Sequence, residues 1–308
     1  MNSTQKPVSY YAQQLQQDAV LCDRVLYLNM GRLCIKVSSN SAQLMAGLER
    51  YFAPILLQGM KEDMAVVAIE QAAPELGLDF MEWKREPGKQ GRKDSYFDMP
   101  DARLIRKVRT GMVFLQHEEY RIAAGPCVKN DNQVINFINA QYMNWLQRDA
   151  WQTCHAAALI YQGQAMAFAG FSGGGQSTLM LHALEQPDTL YLSNDRLFVK
   201  KEGGKSLAIG IPKQPRVNPG TIVHNPRLHP LISPEKRQQF LDMPPSELWE
   251  LEDKYDVLVD EVYGHNRIGQ EAPLTAFLVL NWKRDSLQPL AVNQVNLEER
   301  RDLLAAIM

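Results

Sequence analysis

The residues from Gly170 to Thr178, GFSGGGQST, have the composition and spacing of a loop that wraps phosphate groups. In the pattern G-x-x-x-x-G-K-[ST], glycines let the backbone curl with its N–H groups turned inward. The lysine reaches the β- and γ-phosphates, and the last hydroxyl reaches Mg²⁺. Gly170, Gly175 and Ser177 occupy the fixed positions, with Phe171, Ser172, Gly173 and Gly174 in the interval and Thr178 after it. Gln176 stands where the pattern has lysine. The stretch predicts that ATP binds here with Mg²⁺, and it leaves open whether phosphoryl transfer survives without the lysine charge. The other reading is a glycine-rich turn that tightens a strand–helix junction.

The flanking residues favour the first reading. Ala156–Gly170 reads as a hairpin, with apolar AAALIY and AMAFA on either side of Gln162-Gly163-Gln164. Ser177–Glu185 reads as a helix with Leu179, Leu181 and Leu184 as its apolar contacts. A phosphate loop needs a strand before it and a helix after it, because the helix N-terminus adds partial positive charge. TLYLSNDRLFV (Thr189–Val199) reads as strand, polar break, strand. Asp195 in that break has the place of a metal-binding carboxylate, although Asn-Asp is also ordinary turn chemistry. His155 opens the hairpin, and its position alone gives it no role.

Taken together, His155, the hairpin, GFSGGG-x-ST and then SNDR resemble the catalytic core of HPr serine kinase/phosphorylases. That family carries H-G-V, a hairpin, G-x-S-G-x-G-K-S and then D-D-R on the following strand. The chain is more closely similar to the HPr kinase-related kinases of the kinase B type. Carrying that likeness are SNDRLF (Ser193–Phe198), GIPKQPRVNPGT (Gly210–Thr221), LWELEDKYDV (Leu248–Val257) and VLNW (Val279–Trp282). The core similarity covers the region from Gln152 to Val199, and the looser one covers most of the chain.

The resemblance implies a P-loop kinase domain with a phosphoenolpyruvate-carboxykinase-like fold. It also implies ATP, Mg²⁺ and transfer of a phosphoryl group to the hydroxyl of a protein or small molecule. It puts Gly170–Thr178 on the phosphates, Ser177 and Asp195 on the metal, and His155 with Asn194 and Asp195 beside the transferred group. Lys213 and Arg216, with Asn218, lie on a proline-stiffened loop that either faces the phosphates or is a structural turn.

Two departures bear on activity. The family has an aspartate where this chain has Asn194, and an amide takes no proton, so Asp195 serves as base or the base lies elsewhere. Gln176 carries no charge, and losing one preorganised electrostatic contact costs about 10²–10³ in rate. Lys200, Lys201, Lys205 and Lys213 are the candidates to replace that charge. The expectation is an ATP-dependent kinase weakened by Gln176. The alternative is a nucleotide-binding pseudokinase that acts as a sensor or scaffold.

The rest of the chain sets the frame. Its 308 residues allow roughly two domains of about 150 residues. The expected organisation is mixed α/β, with a small N-terminal α/β domain over 1–132 and an HPr-kinase-like catalytic domain over 133–308. In the first part, Val25–Met30 and Leu33–Ser39 read as strands around Gly31 and Arg32. A helix capped by Ser41 carries Leu44, Leu48 and Phe52, and Met64–Glu70 is a further strand. Glu82–Tyr96 reads as a basic loop: either a solvated surface segment or an arm for an acidic or phosphorylated partner. Ala102–Gly125 reads as a strand meander and Val134–Trp151 as a helix. Towards the end, DVLVDEVYG and PLTAFLVLNW read as core strands, with Asp260, Glu261, His265 and Arg267 between them. VNLEERRDLLAAIM reads as an amphipathic closing helix.

A formal net charge of −2 marks the surface for neither nucleic acid nor membrane. MNSTQKPVSYYAQQLQQ lacks the apolar core of a signal peptide, and no run has the length of a membrane helix. The four cysteines form no CxxC pair, which reads as buried free thiols in a reducing cytoplasm. Expected partners are a nucleotide and a protein substrate, and a homo-oligomer remains open.

Overall fold

The helix Asp131–Arg148 straddles the division of the chain into two units, Met1–Tyr142 and Met143–Met308, in the computed structural model. The structure describes residues 6–59, 61–84, 94–171, 174–281, 287 and 289–308. Both units are mixed α/β, each built on a sheet with parallel and antiparallel pairs.

In the first unit, Leu26–Asn29 and Cys34–Ser39 form a hairpin in the register Leu28↔Ile35. Gly31, at φ 97°, makes its turn. The helix Ala42–Phe52 carries the chain over to Met64–Glu70, which pairs parallel to Cys34–Ser39. Ser41 caps that helix, its hydroxyl accepting from the Leu44 N–H at 3.2 Å, and Leu44, Leu48 and Phe52 are buried. Arg103–Lys107, Val113–Gln116 and Arg121–Gly125 form the meander. The segment expected as a loop over Glu82–Tyr96 is in part sheet. Asp94–Asp98 pairs with Arg103–Lys107, and Met81–Glu82 pairs with Asp94–Asp98. Alternation in DSYFD, with Ser95 facing inward, holds that strand; the basic centre, 85–93, lies outside the described residues.

In the second unit, a seven-stranded sheet runs in the order Gln152–His155, Arg196–Glu202, Lys205–Gly210, Glu271–Leu280, Gln164–Gly170, Ala157–Tyr161, Thr189–Ser193. The expected hairpin forms, and it is buried on both faces. Ala157, Leu159 and Phe168 pack to one side; Ala156, Ala158, Ala165 and Ala167 pack to the other. Gln164–Gly170 pairs parallel with the long strand Glu271–Leu280, and both end together at Gly170↔Leu280. The glycine run therefore leaves the carboxyl end of a parallel strand pair, the edge at which open α/β sheets bind ligands.

Two expected elements differ. DVLVDEVYG is not a strand beyond Tyr255–Asp256, because Val259–Tyr263 turns into a short helix. Val259 and Tyr263, four apart, go down together into the core, a helical spacing that outweighs the β-branched composition. VNLEERRDLLAAIM is not one helix: only Leu304–Ile307 is α-helical, after a 3-10 turn at Arg301–Leu303. Ala306 and Ile307 alone are buried there, too little apolar surface to hold a longer helix. Among the described residues, no helix is long and apolar enough to cross a membrane. Cys34, Cys127 and Cys154 are buried free thiols, and burial pushes the Cys127 thiol up to about 12.

Candidate active site

The loop that follows Gly170 can be built only from small residues at two positions. The Gly174 N–H donates to the Phe171 carbonyl at 2.7 Å, and a Cβ at Gly174 would meet the same oxygen at 2.7 Å. Gly175, at φ 79°, is the N-cap of the helix Gln176–Ala183. Phe171 points outward and is exposed, while Ser172 and Gly173 lie outside the described residues. The helix is held by Met180, Leu181 and Leu184, all fully buried. Leu179, expected in the core, is exposed instead; Met180 takes its role, because 180, 181 and 184 share one helical face. Gln176, Ser177 and Thr178 form the first turn, whose N–H groups lie where a helix binds anions.

His155 meets Gln176 from another segment, and Asp195 and Arg196 stand behind it. Gln152–His155 pairs with Arg196–Glu202 in the register His155↔Arg196, which sets His155 beside Asp195. His155 Nε2 lies 2.9 Å from Asp195 Oδ1, and Arg196 Nε lies 3.7 Å from the other oxygen. Gln176 Nε2 lies 3.5 Å from His155 Nε2. With its proton on Nε2, the imidazole donates to the carboxylate, and the Gln176 amide sits at the rim of that contact. His155 and Asp195 each keep about two-fifths of their side-chain surface in solvent, so a substrate can reach them. The polar break is fixed from beneath by the buried Ser193, whose hydroxyl donates to the Arg196 carbonyl at 2.8 Å. Ser193 carries this structural role without any signal in the sequence beyond its place in SNDR. The buried Oδ1 of Asn194 has no hydrogen-bond partner among the described residues.

GIPKQPRVNPGT is tied to the same centre. Gly210 lies against the Leu192 carbonyl, where a Cβ would fall 1.7 Å from the oxygen. The Tyr191 hydroxyl donates to the Lys213 carbonyl at 2.5 Å, and the Thr178 and Thr221 hydroxyls are 3.4 Å apart. Arg216 Nε is 3.1 Å from Asp256 Oδ1, out of line for a hydrogen bond, and Asn218 Oδ1 is buried without a partner among the described residues. Burial pushes the Lys213 ammonium below the ordinary lysine range. Asp195 pulls it back up, and Arg216 and Arg196 push it down. Lys213 therefore shares the electrostatic field of Asp195.

Of the four lysines considered from sequence, the other three are elsewhere. Lys200 pairs with Asp149 at 3.0 Å. Lys201, five residues beyond Arg196 on an extended strand, is carried about 16 Å away, and Lys205 pairs across the turn with Glu202. Asp260 and Arg267 also fall outside the site. Arg267 donates to the carbonyls of Leu184, Gln186, Thr189 and Tyr263, a clamp at the opposite end of the loop helix, and Asp260 accepts the Asn266 and Arg267 N–H groups.

No protein-family model matches the chain, and no curated protein matches it. Among solved structures it is similar to the Hpr(Ser) kinase/phosphatase from Coxiella burnetii. The identity is 16% over 47% of this chain and 73% of that chain, with a TM-score of 0.28. A superposition at that score carries no weight for fold or chemistry.

The site's own geometry offers a tight glycine turn at a helix N-terminus, an accessible His–Asp pair beside it, and a lysine in the field of that aspartate. Among the described residues there is no group of three or more His, Cys, Asp and Glu that would enclose a metal.

Proposed function

We propose that the second unit is an ATP-dependent phosphotransferase acting on a hydroxyl, the chemistry that the HPr kinase resemblance implies. One observation carries this reading: three separate segments bring Gln176, His155 and Asp195 together at the head of one helix, with contacts of 3.5 and 2.9 Å. The phosphates would lie against the N–H groups of the first turn of the helix Gln176–Ala183, which follows Gly175 at positive φ. Ser177 and Asp195 would hold Mg²⁺, which supplies charge neutralisation on the phosphate oxygens.

The acceptor hydroxyl approaches on the exposed side of His155 and Asp195. Its oxygen bonds to the γ-phosphorus as the bond to the β–γ bridging oxygen breaks, and ADP leaves with that electron pair. The hydroxyl proton passes to Asp195, since the Asn194 amide takes none. His155 orients the carboxylate through their hydrogen bond. Lys213 supplies part of the positive charge that Gln176 lacks. The acceptor is a hydroxyl of a protein or a small molecule.

The test is transfer of label from γ-labelled ATP into proteins of a cell lysate. Asp195→Ala lowers it by about 10² or more, the contribution of a positioned base. Labelling unchanged in that variant contradicts the reading. Asn194 and the engagement of Gln176 with His155 favour a second reading, a nucleotide-binding pseudokinase. That reading predicts Mg-ATP binding with no label transferred.

Lys213 gives the site a pH signature. Its proton leaves at a lower pH than that of an exposed lysine, so the charge, and transfer with it, falls on the alkaline side below the ordinary lysine range. Within that window the unfolded form of this group binds more protons than the folded one, so Lys213 itself adds stability as pH rises. Lys213→Arg moves the alkaline limb of the pH–rate profile upward, because a guanidinium stays charged. A limb that stays in place shows that the Lys213 charge is not used.

A further inference from the structure

An exposed aromatic pair, which the proposed chemistry does not use, adjoins the loop helix on the side away from His155. Helical residues turn by about 100° each, so Gln176 and Thr178 point to opposite sides. Gln176 meets His155, whereas Thr178 meets Thr221, hydroxyl to hydroxyl, at 3.4 Å. Thr221 belongs to the short helix Pro219–Val223. The preceding residue, Gly220, packs on Trp249, where a Cβ would come within 2.9 Å of the six-membered ring. His224, which ends that helix, stacks on Trp249 with ring centroids 5.5 Å apart and planes 14° from parallel. Both are on the surface, and Trp249 keeps 38% of its area in solvent. A single exposed aromatic needs no explanation. Two stacked ones, docked on the helix that meets the loop helix at Thr178, make a partly exposed aromatic surface.

We propose that Trp249, supported by His224, is the platform on which the base of the bound nucleotide stacks. This rests on the reading of Gly170–Thr178 as a phosphate loop. A triphosphate whose terminal group lies by His155 and Asp195 crosses the head of the helix, and its nucleoside end emerges on the Thr178–Thr221 side. The Trp249 face is next along that path. Every base has a π-face, so stacking holds a nucleoside triphosphate with little choice between adenine and guanine. The ligand class is a nucleoside triphosphate, and Gly220 is required because any side chain there would displace the indole.

The experiment compares Mg-ATP with Mg-tripolyphosphate, which has the phosphates and no base. Calorimetry is run on the full chain, Trp249→Ala and Trp249→Phe. Trp249→Ala is expected to weaken Mg-ATP binding about tenfold, the scale of one base–aromatic stack, and to leave tripolyphosphate unchanged. Trp249→Phe keeps most of the ATP affinity. Equal losses for both ligands would make Trp249 a prop for the loop through Gly220 and overturn the platform. No loss for either ligand overturns it too, while the loop reading stands. If the unaltered chain binds neither ligand, the loop reading falls and the platform with it.

Discussion

Replacing Gln176 by lysine raises phosphoryl transfer from ATP by about 10²–10³-fold and tightens Mg-ATP binding far less. The loop closes through backbone: the Gly174 N–H on the Phe171 carbonyl, and Gly175 at positive φ. Neither depends on residue 176, so ground-state affinity for phosphate is retained without a lysine. The bridging oxygen gains negative charge only as transfer proceeds, and a cation at that point acts mainly on the transition state. Gln176 places an uncharged amide 3.5 Å from His155 Nε2, where a lysine would bring a full positive charge. Lys213, partly buried in the field of Asp195, is the proposed source of part of the missing charge. Label transfer and calorimetry on both versions separate rate from affinity. If the lysine version transfers no faster, Lys213 already supplies the full charge; if both versions bind Mg-ATP and neither transfers, the pseudokinase reading replaces the kinase.

Much of the second unit could be read from short-range pattern. The hairpin at Ala156–Gly170 announces itself by two apolar runs around Gly163, and the polar break at Asn194–Asp195 by its turn residues. What the pattern hid was long-range pairing. The parallel partner of Gln164–Gly170 is Glu271–Leu280, about a hundred residues later, and no local signal couples the two. The helix Val8–Gln16 gives little sign of itself because glutamines crowd its second half, yet Tyr11, Ala12 and Leu15 share a buried face. The closing segment shows the converse: Leu297 and Leu304 have helical spacing but are exposed, and spacing forms a helix only where there is a surface to cover.

The site divides in the same way. Gly170, Gly175, Gln176 and Ser177 were legible because the loop is contiguous in sequence. That His155 touches Asp195 follows from one strand register, His155↔Arg196, which spacing cannot supply. The choice of Lys213 over Lys200, Lys201 and Lys205 needed the fold, since all four are ordinary lysines in the sequence. Trp249 enters the sequence reading only inside LWELEDKYDV, with no role of its own: it lies far along the chain from the loop, and Thr221, Gly220 and His224 bring it near. Ser172 and Gly173, named from the motif, lie outside the described residues.

A kinase and a nucleotide-binding pseudokinase both require nucleotide phosphates at the glycine loop. Gly175→Asp attacks it directly. An aspartate there must adopt φ near 79°, a strained conformation for a side-chain-bearing residue, and it adds a carboxylate where the phosphates gather. Calorimetric titration of Mg-ATP into the full chain and into Gly175→Asp, with circular dichroism to verify that both are folded, is the measurement. The predicted result is binding to the unaltered chain and none to the folded variant. Equal binding to both, or binding to neither, would contradict it.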